Sequence, residues 1–160
     1  ATIDPVGAHD VVVNLQGDLP TMPPDMLRAV LAPLADQRVD IGTLVAPIAS
    51  AEEAAASSVV KVACAFPRGV AVAPALYFSR NLIPSGEGPH WHHIGVYAYR
   101  RPALARFVAL PEGALEKREK LEQLRALEAG MRIGVVRVDH APFGVDTQAD
   151  LERARRTLAP

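Results

Sequence analysis

The sequence predicts an α/β fold, a mostly parallel central sheet flanked by helices with an inserted hairpin region. Three observations point there. Val11-Val12-Val13-Asn14-Leu15 is a short apolar run without alternation, the pattern of a strand buried on both faces of a parallel sheet. Strand-like runs then alternate along the chain with segments whose apolar residues recur at helical spacing. Hydrophobic residues make up 49% of the chain but aromatics only 5%, so the core is mainly Val, Leu, Ala and Ile. A length of 160 residues fits a single domain, 1–160.

The elements follow in order. The first strand stops at Gln16-Gly17-Asp18, with Pro20, Pro23 and Pro24 close behind. A carboxylate just past the carboxyl end of a parallel strand lies where open α/β sheets bind ligands, which makes Asp18 a candidate for a metal- or phosphate-linked role. Gly-Asp is also ordinary turn chemistry. Residues 24–35 read as a helix, with Pro24 in its first turn and Met26, Leu27, Val30, Leu31 and Leu34 at helical spacing. Residues 41–47 form a second strand, and Ser50 with Glu53 gives a capping box for a short helix over 51–56. A third strand spans 59–65, interrupted by Lys61. The Pro67-Arg68-Gly69 turn then returns 70–73 as an antiparallel hairpin, and 75–78 is a further short strand. Residues 80–90 are a Pro- and Gly-rich excursion.

The strand 92–99 alternates, with His93, Gly95, Tyr97 and Tyr99 on one side and Ile94, Val96 and Ala98 on the other. Pro102 opens a helix to about residue 108. Residues 115–129 read as the longest helix, with Leu121, Leu124 and Leu127 in one stripe and Gly130 closing it. A last strand spans 133–138. Asp146-Thr147 starts the final helix, with a Thr147-x-x-Asp150 capping box.

Bulk properties exclude several classes. A formal net charge of -1 shows no basic excess, which argues against a nucleic-acid partner held through phosphates. The single cysteine, Cys64, excludes an internal disulfide and a CxxC site, and its apolar surroundings make it a structural thiol. No apolar run reaches about 18 residues, so no membrane helix is expected. Residues 1–10 lack a basic segment, so no signal peptide is expected and the compartment is reducing and cytoplasmic.

Five polar groups stand apart from the core: Gln16 with Asp18, Arg80, His93 with Tyr97, Glu122 with Gln123, and Asp146. Singly, each has an ordinary structural use as a turn, loop, half-buried strand, wet helix face or cap. Glu119 and Arg118 read as part of that wet face. His90, His92 and His93 invite a zinc reading, but His92 and His93 point to opposite sides of a strand and share an ion poorly.

Jointly the groups stand in a known order. VVVNLQGDLP, ALYFSRNLIP, HIGVYAYR, LEKREKLEQLRALEAG and GVDTQADLERAR resemble the 3-deoxy-manno-octulosonate cytidylyltransferases (CMP-Kdo synthetases), nearly end to end. Sialic acid cytidylyltransferases fit less well. The resemblance implies a nucleotide-diphospho-sugar transferase-like fold. It also implies an enzyme that joins CTP and Kdo to give CMP-Kdo and pyrophosphate, activating Kdo for lipopolysaccharide synthesis. By resemblance Asp18 and Asp146 are catalytic and hold Mg²⁺. Arg80 faces the Kdo carboxylate, and Gln16, His93, Tyr97, Glu122 and Gln123 contact the sugar. A homodimer formed through the later part of the chain is implied as well.

The chain departs from that pattern twice. The family usually reads QGDEP, whereas Leu19 follows Asp18 here. Nothing in residues 1–10 matches the family's Arg/Gly/Lys-containing loop that grips CTP, and no P-loop appears elsewhere. The expectation is therefore the C-terminal two-thirds of a cytidylyltransferase: the sugar-binding, metal-binding and dimer-forming portion, incomplete and inactive alone. A non-catalytic sugar-binding or dimerisation fragment and a related nucleotidyltransferase using another sugar acid are the alternatives.

Overall fold

In the computed structural model, residues 8–145 and 148–158 are described. They form β1 (Val11–Leu15), α1 (Pro24–Ala29), a 3-10 turn (Ala32–Ala35), β2 (Ile41–Pro47), α2 (Ala51–Ala55), β3 (Lys61–Ala63), β4 (Val72–Pro74), β5 (Tyr77–Ser79), β6 (Trp91–Arg100), α3 (Arg101–Ala109), α4 (Ala114–Glu119), α5 (Gln123–Glu128), β7 (Ile133–Arg137) and α6 (Gln148–Leu158). The seven strands make one sheet in the order β4-β7-β2-β6-β3-β5, with β1 also on β6. The expected α/β architecture holds, but the sheet is mixed. Among the described strands only β2 and β7 run parallel, and the pairings of β6 with β1, β2 and β3 are all antiparallel.

β6 organises the molecule. On one side it pairs with β2 along nearly its whole length; on the other its two ends take β1 and β3. Its alternation divides two cores. Ile94, Val96 and Ala98 join Met26, Val30, Leu34 and Leu44. Trp91 and Tyr99 join Phe78, Leu121, Leu124 and Ile133, with Tyr97 packed against them. The expected division of β6 into two faces is therefore met.

Several boundaries differ from expectation. β1 is not buried on both faces: Val13 and Leu15 are 40% and 44% exposed, because among the described residues β6 is its only strand partner. The helix expected over 24–35 breaks after Ala29, since Pro33 has no N–H to continue the ladder and instead seats a 3-10 turn. That turn lies hard against the sheet. A Cβ on Gly42 would stand 2.4 Å from the Val30 carbonyl oxygen, and one on Gly134 would stand 2.6 Å from Pro33 Cβ. The hairpin expected between 59–65 and 70–73 does not form. β4 crosses to pair with β7, and β5 is the antiparallel partner of β3.

The long helix expected over 115–129 is two short ones. Lys120 takes a left-handed conformation (φ 57) and ends α4. Arg125 on α5 then grips the Glu116 carboxylate on α4 with two N–H groups. Glu128 Oε1 accepts from the N–H groups of Ala114 and Leu115, so the end of α5 caps the start of α4. A Cβ at Gly113 would push the Glu128 carboxylate aside from this cap. Gly130 closes α5 with φ 72, as expected. Ser50 caps α2 as expected, its hydroxyl accepting from Glu53 N at 3.1 Å. Cys64 is half-buried, and burial pushes its thiol up to about 12. Among the described residues no helix is long and apolar enough to cross a membrane.

Candidate functional site

A cavity of about 260 Å³ opens where the turn after β1 meets the middle of β6. Asp18, Leu19, His93 and Gly95 line it, together with Ser58, Val59 and Val60 of the turn before β3 and with Ala141, Pro142 and Gly144. The Asp18 carbonyl accepts from Val145 N at 2.9 Å, which ties this turn to the segment after β7. The Asp18 carboxylate has no protein partner among the described residues and is exposed. Gln16 lies beside it, its Cγ over Gly95 of β6. A larger cavity of about 460 Å³, lined by Val72, Ala73, Met131 and the Asp36–Arg38 ion pair among others, holds none of the sequence-predicted residues.

His93 is 8% exposed and lies in the wall of the smaller cavity. Its Nε2 is 3.0 Å from Thr43 Oγ1. The single Thr43 proton goes to the carbonyl of Val96 at 2.8 Å or of Ile94 at 3.2 Å, so His93 Nε2 carries hydrogen and donates. Nδ1 is then a lone-pair acceptor with no protein partner among the described residues. Burial, helped by neighbouring His92, brings the ring's pKa down to about 3, so the imidazole is neutral. Its face meets Phe78 and Tyr97, at 5.1 and 5.4 Å between ring centres. The Tyr97 residue keeps some exposure, but its hydroxyl sits deep enough that burial, then Tyr99 and Glu122, push its pKa upward.

Two further expected residues come from the α4–α5 pair. Gln123 is 7% exposed, and no protein group among the described residues bonds its amide. Glu122, at the start of α5, is exposed and close enough to Tyr97 and Tyr99 to raise both hydroxyls. Splitting the helix at Lys120 is what sets these two residues at the head of a separate segment.

Arg80, just past β5, is held rather than loose. Its Nε donates to the Glu119 carbonyl and its Nη1 to the Ser57 carbonyl, both at 3.1 Å. Nη2 and one N–H of Nη1 have no protein partner among the described residues. Arg80 does not line the cavity itself, but Ser57 adjoins Ser58, which does. Asp146, and the Thr147-x-x-Asp150 cap, lie outside the described residues. Among the described residues no three His, Cys, Asp or Glu side chains converge as a metal site. The described donor for a cation is thus one free, hard carboxylate, Asp18, which suits an ion that keeps several waters.

Sequence reasoning missed three residues. Glu119 is not part of a wet face: Oε1 accepts from Ser79 Oγ at 2.9 Å and Oε2 from Arg80 N at 3.1 Å. Thr43 was hidden inside an apolar strand, and Lys61 looked only like an interruption. A polar residue within an otherwise apolar strand was the available signal for both.

The described residues thus bring Asp18 and the buried His93 to one small cavity, where the turn after β1 meets β6. Residues 3–133 match the family model for cytidylyltransferase, and the chain belongs to that family. Among relatives, it is 62% identical over 160 residues to the 3-deoxy-manno-octulosonate cytidylyltransferase of Methylobacterium radiotolerans, covering 98% of this chain and 63% of that protein. The enzyme of the same name from Paramagnetospirillum magneticum is 58% identical over 156 residues, with the same coverage. A solved structure of CMP:2-keto-3-deoxy-manno-octonic acid synthetase complexed with CTP aligns with TM-score 0.84 at 39% identity, over 95% of this chain and 63% of that one. The chain thus spans about 63% of the length of the curated relatives it matches.

Proposed function

We propose that the intact protein couples CTP and Kdo to give CMP-Kdo and pyrophosphate, and that this chain supplies its sugar- and metal-binding part. The observation that carries this reading is a set of polar groups without protein partners: His93 Nδ1, the Gln123 amide and the free Asp18 carboxylate. Buried polar groups in folded proteins are normally bonded, so the buried His93 Nδ1 and Gln123 amide stand open to a ligand or a water, and the exposed Asp18 carboxylate stands open to a cation. Kdo carries both hydroxyls and a carboxylate. The names of the similar proteins point to the same sugar acid.

In this reading the anomeric hydroxyl of Kdo attacks the α-phosphorus of CTP, the bond to the β-phosphate oxygen breaks, and pyrophosphate leaves. Alignment and charge neutralisation dominate such a step. Arg80 offers its free N–H groups to the Kdo carboxylate. His93 is too weakly basic to remove a proton near neutral pH and acts as a fixed hydrogen-bond acceptor for a sugar hydroxyl. Gln16, Tyr97, Glu122 and Gln123 take the remaining hydroxyls. Asp18, together with Asp146, would hold Mg²⁺, which supplies charge neutralisation at the phosphates. The same reading makes the protein a cytoplasmic homodimer serving lipopolysaccharide synthesis.

The test is CTP- and Mg²⁺-dependent pyrophosphate release with Kdo by the full-length protein. No release, or release only with another sugar acid, rejects the proposal. Asp18→Asn should remove most activity and leave the unfolding midpoint unchanged, since among the described residues the side chain makes no internal bond. A fully active variant would reject the metal role.

A further inference from the structure

Among the described residues Lys61 is the largest fully buried side chain, and it takes no part in the chemistry above. It occupies β3 opposite Ser79 and His92, and the next residue, Val62, belongs to the core. A buried ammonium is normally neutralised by a carboxylate held against it. Here the Nζ instead donates to two neutral backbone carbonyls, Ala56 at 2.6 Å and Arg80 at 2.9 Å. Burial accordingly draws the amine below the ordinary lysine range, and Glu53 pulls it only partly back. An apolar side chain of the same length would fill the space at lower cost, so the gain from an amine lies in the two groups it joins.

Those groups belong to different parts of the proposed site. Ala56 begins the turn whose next residues bond Arg80, through Ser57 O, and line the Asp18 cavity, through Ser58, Val59 and Val60. Val60 O in turn accepts from His93 N at 2.8 Å. Arg80 is the residue read above as the anchor of the sugar's carboxylate. We infer that Lys61 is a positioning residue for the sugar acid: by clamping the Ala56 and Arg80 carbonyls it fixes the Arg80 guanidinium relative to the cavity wall. This inference rests on the reading of Arg80 as the carboxylate anchor.

The clamp acts at both ends of Arg80. Glu119 holds its backbone N–H and its Nε through a carboxylate oxygen and a carbonyl, from the α4 side. Lys61 holds its carbonyl from the sheet side. Without the ammonium, the carbonyls of residues 56 and 80 lose their common donor, and the 56–60 turn is free to shift against the arginine. Displacement of this kind weakens binding of the group that the arginine meets, and leaves the nucleotide's contacts alone.

The experiment uses the full-length protein with Lys61→Met, Arg80→Met and the double variant, measured by pyrophosphate release with each substrate varied in turn. Lys61→Met should raise KM for Kdo by about tenfold or more, as expected for a misplaced anchor, with KM for CTP within about twofold. Because both residues act on the same carboxylate, Lys61→Met in the Arg80→Met background should add less than about twofold. If Arg80→Met raises KM for Kdo and Lys61→Met lowers only the melting temperature, the inference falls and the anchor reading stands. Fully additive effects also overturn it. If Arg80→Met leaves KM for Kdo unchanged, the anchor reading falls and this inference with it. Should Lys61→Met not fold, Lys61→Gln keeps one donor and is read in the same way, with an intermediate KM expected; an unchanged KM overturns the inference.

Discussion

His93 should make the protein's stability depend on pH between its lowered folded value and the ordinary histidine value. Its imidazole is held down to about 3 by burial and by His92, whereas an unfolded histidine titrates near 6.5. Between those values the unfolded chain binds one proton more than the folded one, so stability is fully present above 6.5 and falls as the pH drops toward 3. The slope is about 1.4 kcal/mol per pH unit for one such group. His93→Phe keeps a flat ring beside Phe78 and Tyr97 and removes the titration. From pH 7 to pH 5, the original protein should therefore lose about 2 kcal/mol more than the variant. Urea unfolding at pH 7, 6 and 5 measures both curves, and subtracting one from the other cancels the carboxylates they share. Parallel curves, or a steeper loss in the variant, would show that His93 is protonated in the folded state and would refute its role as a neutral acceptor.

Three further outcomes follow from packing and charge. Leu124→Ala, at a fully buried position beneath the α4–α5 pair, should cost about 2–5 kcal/mol in urea unfolding, and a cost near zero would mean α5 is not seated as described. Gly42→Ala must displace either the Val30 carbonyl or β2, and should lower stability by about 1–3 kcal/mol, read as a lower calorimetric midpoint. The Arg125 guanidinium holds the Glu116 carboxyl below its ordinary value of 4.5, so that stabilisation is present above 4.5 and is lost as the pH falls below it. Glu116→Gln should accordingly be less stable than the original at pH 7, with the gap in urea midpoint narrowing at pH 3.

Where local chemistry decides, the sequence was readable. β2 begins and ends where its apolar run does, the Ser50 cap forms, and the alternation of β6 sends His93 and Tyr97 to the face opposite Ile94 and Val96. Where distant partners decide, it was not. Nothing local marks β4 as the partner of β7, because that choice is made by residues some sixty positions further on, such as Val136 against Val72. Lys120 gives no composition signal for a left-handed turn; the division of the helix is enforced by Arg125 reaching Glu116 and by Glu128 reaching Ala114. The candidate site divides the same way. Asp18 does stand just past the end of β1, but that strand pairs antiparallel with β6 and is not the parallel strand on which the reading relied. The bonding of Glu119 to Ser79 and of Thr43 to His93 exists only once the sheet has assembled.

β6 also sets a timetable for the growing polypeptide. Among the described pairings Val11 meets Arg100 and Ile41 meets Tyr99, so β1 and β2 gain their place on β6 only when that strand has been made. Among the described residues, the strands that precede β6 pair with one another only as β3 with β5, and native pairings between distant segments are slow to form. The edges that β1 and β2 present to β6 thus stay unmatched during synthesis, and their exposure to chaperones, proteases and self-association should end once the tenth residue of this late strand has cleared the exit tunnel.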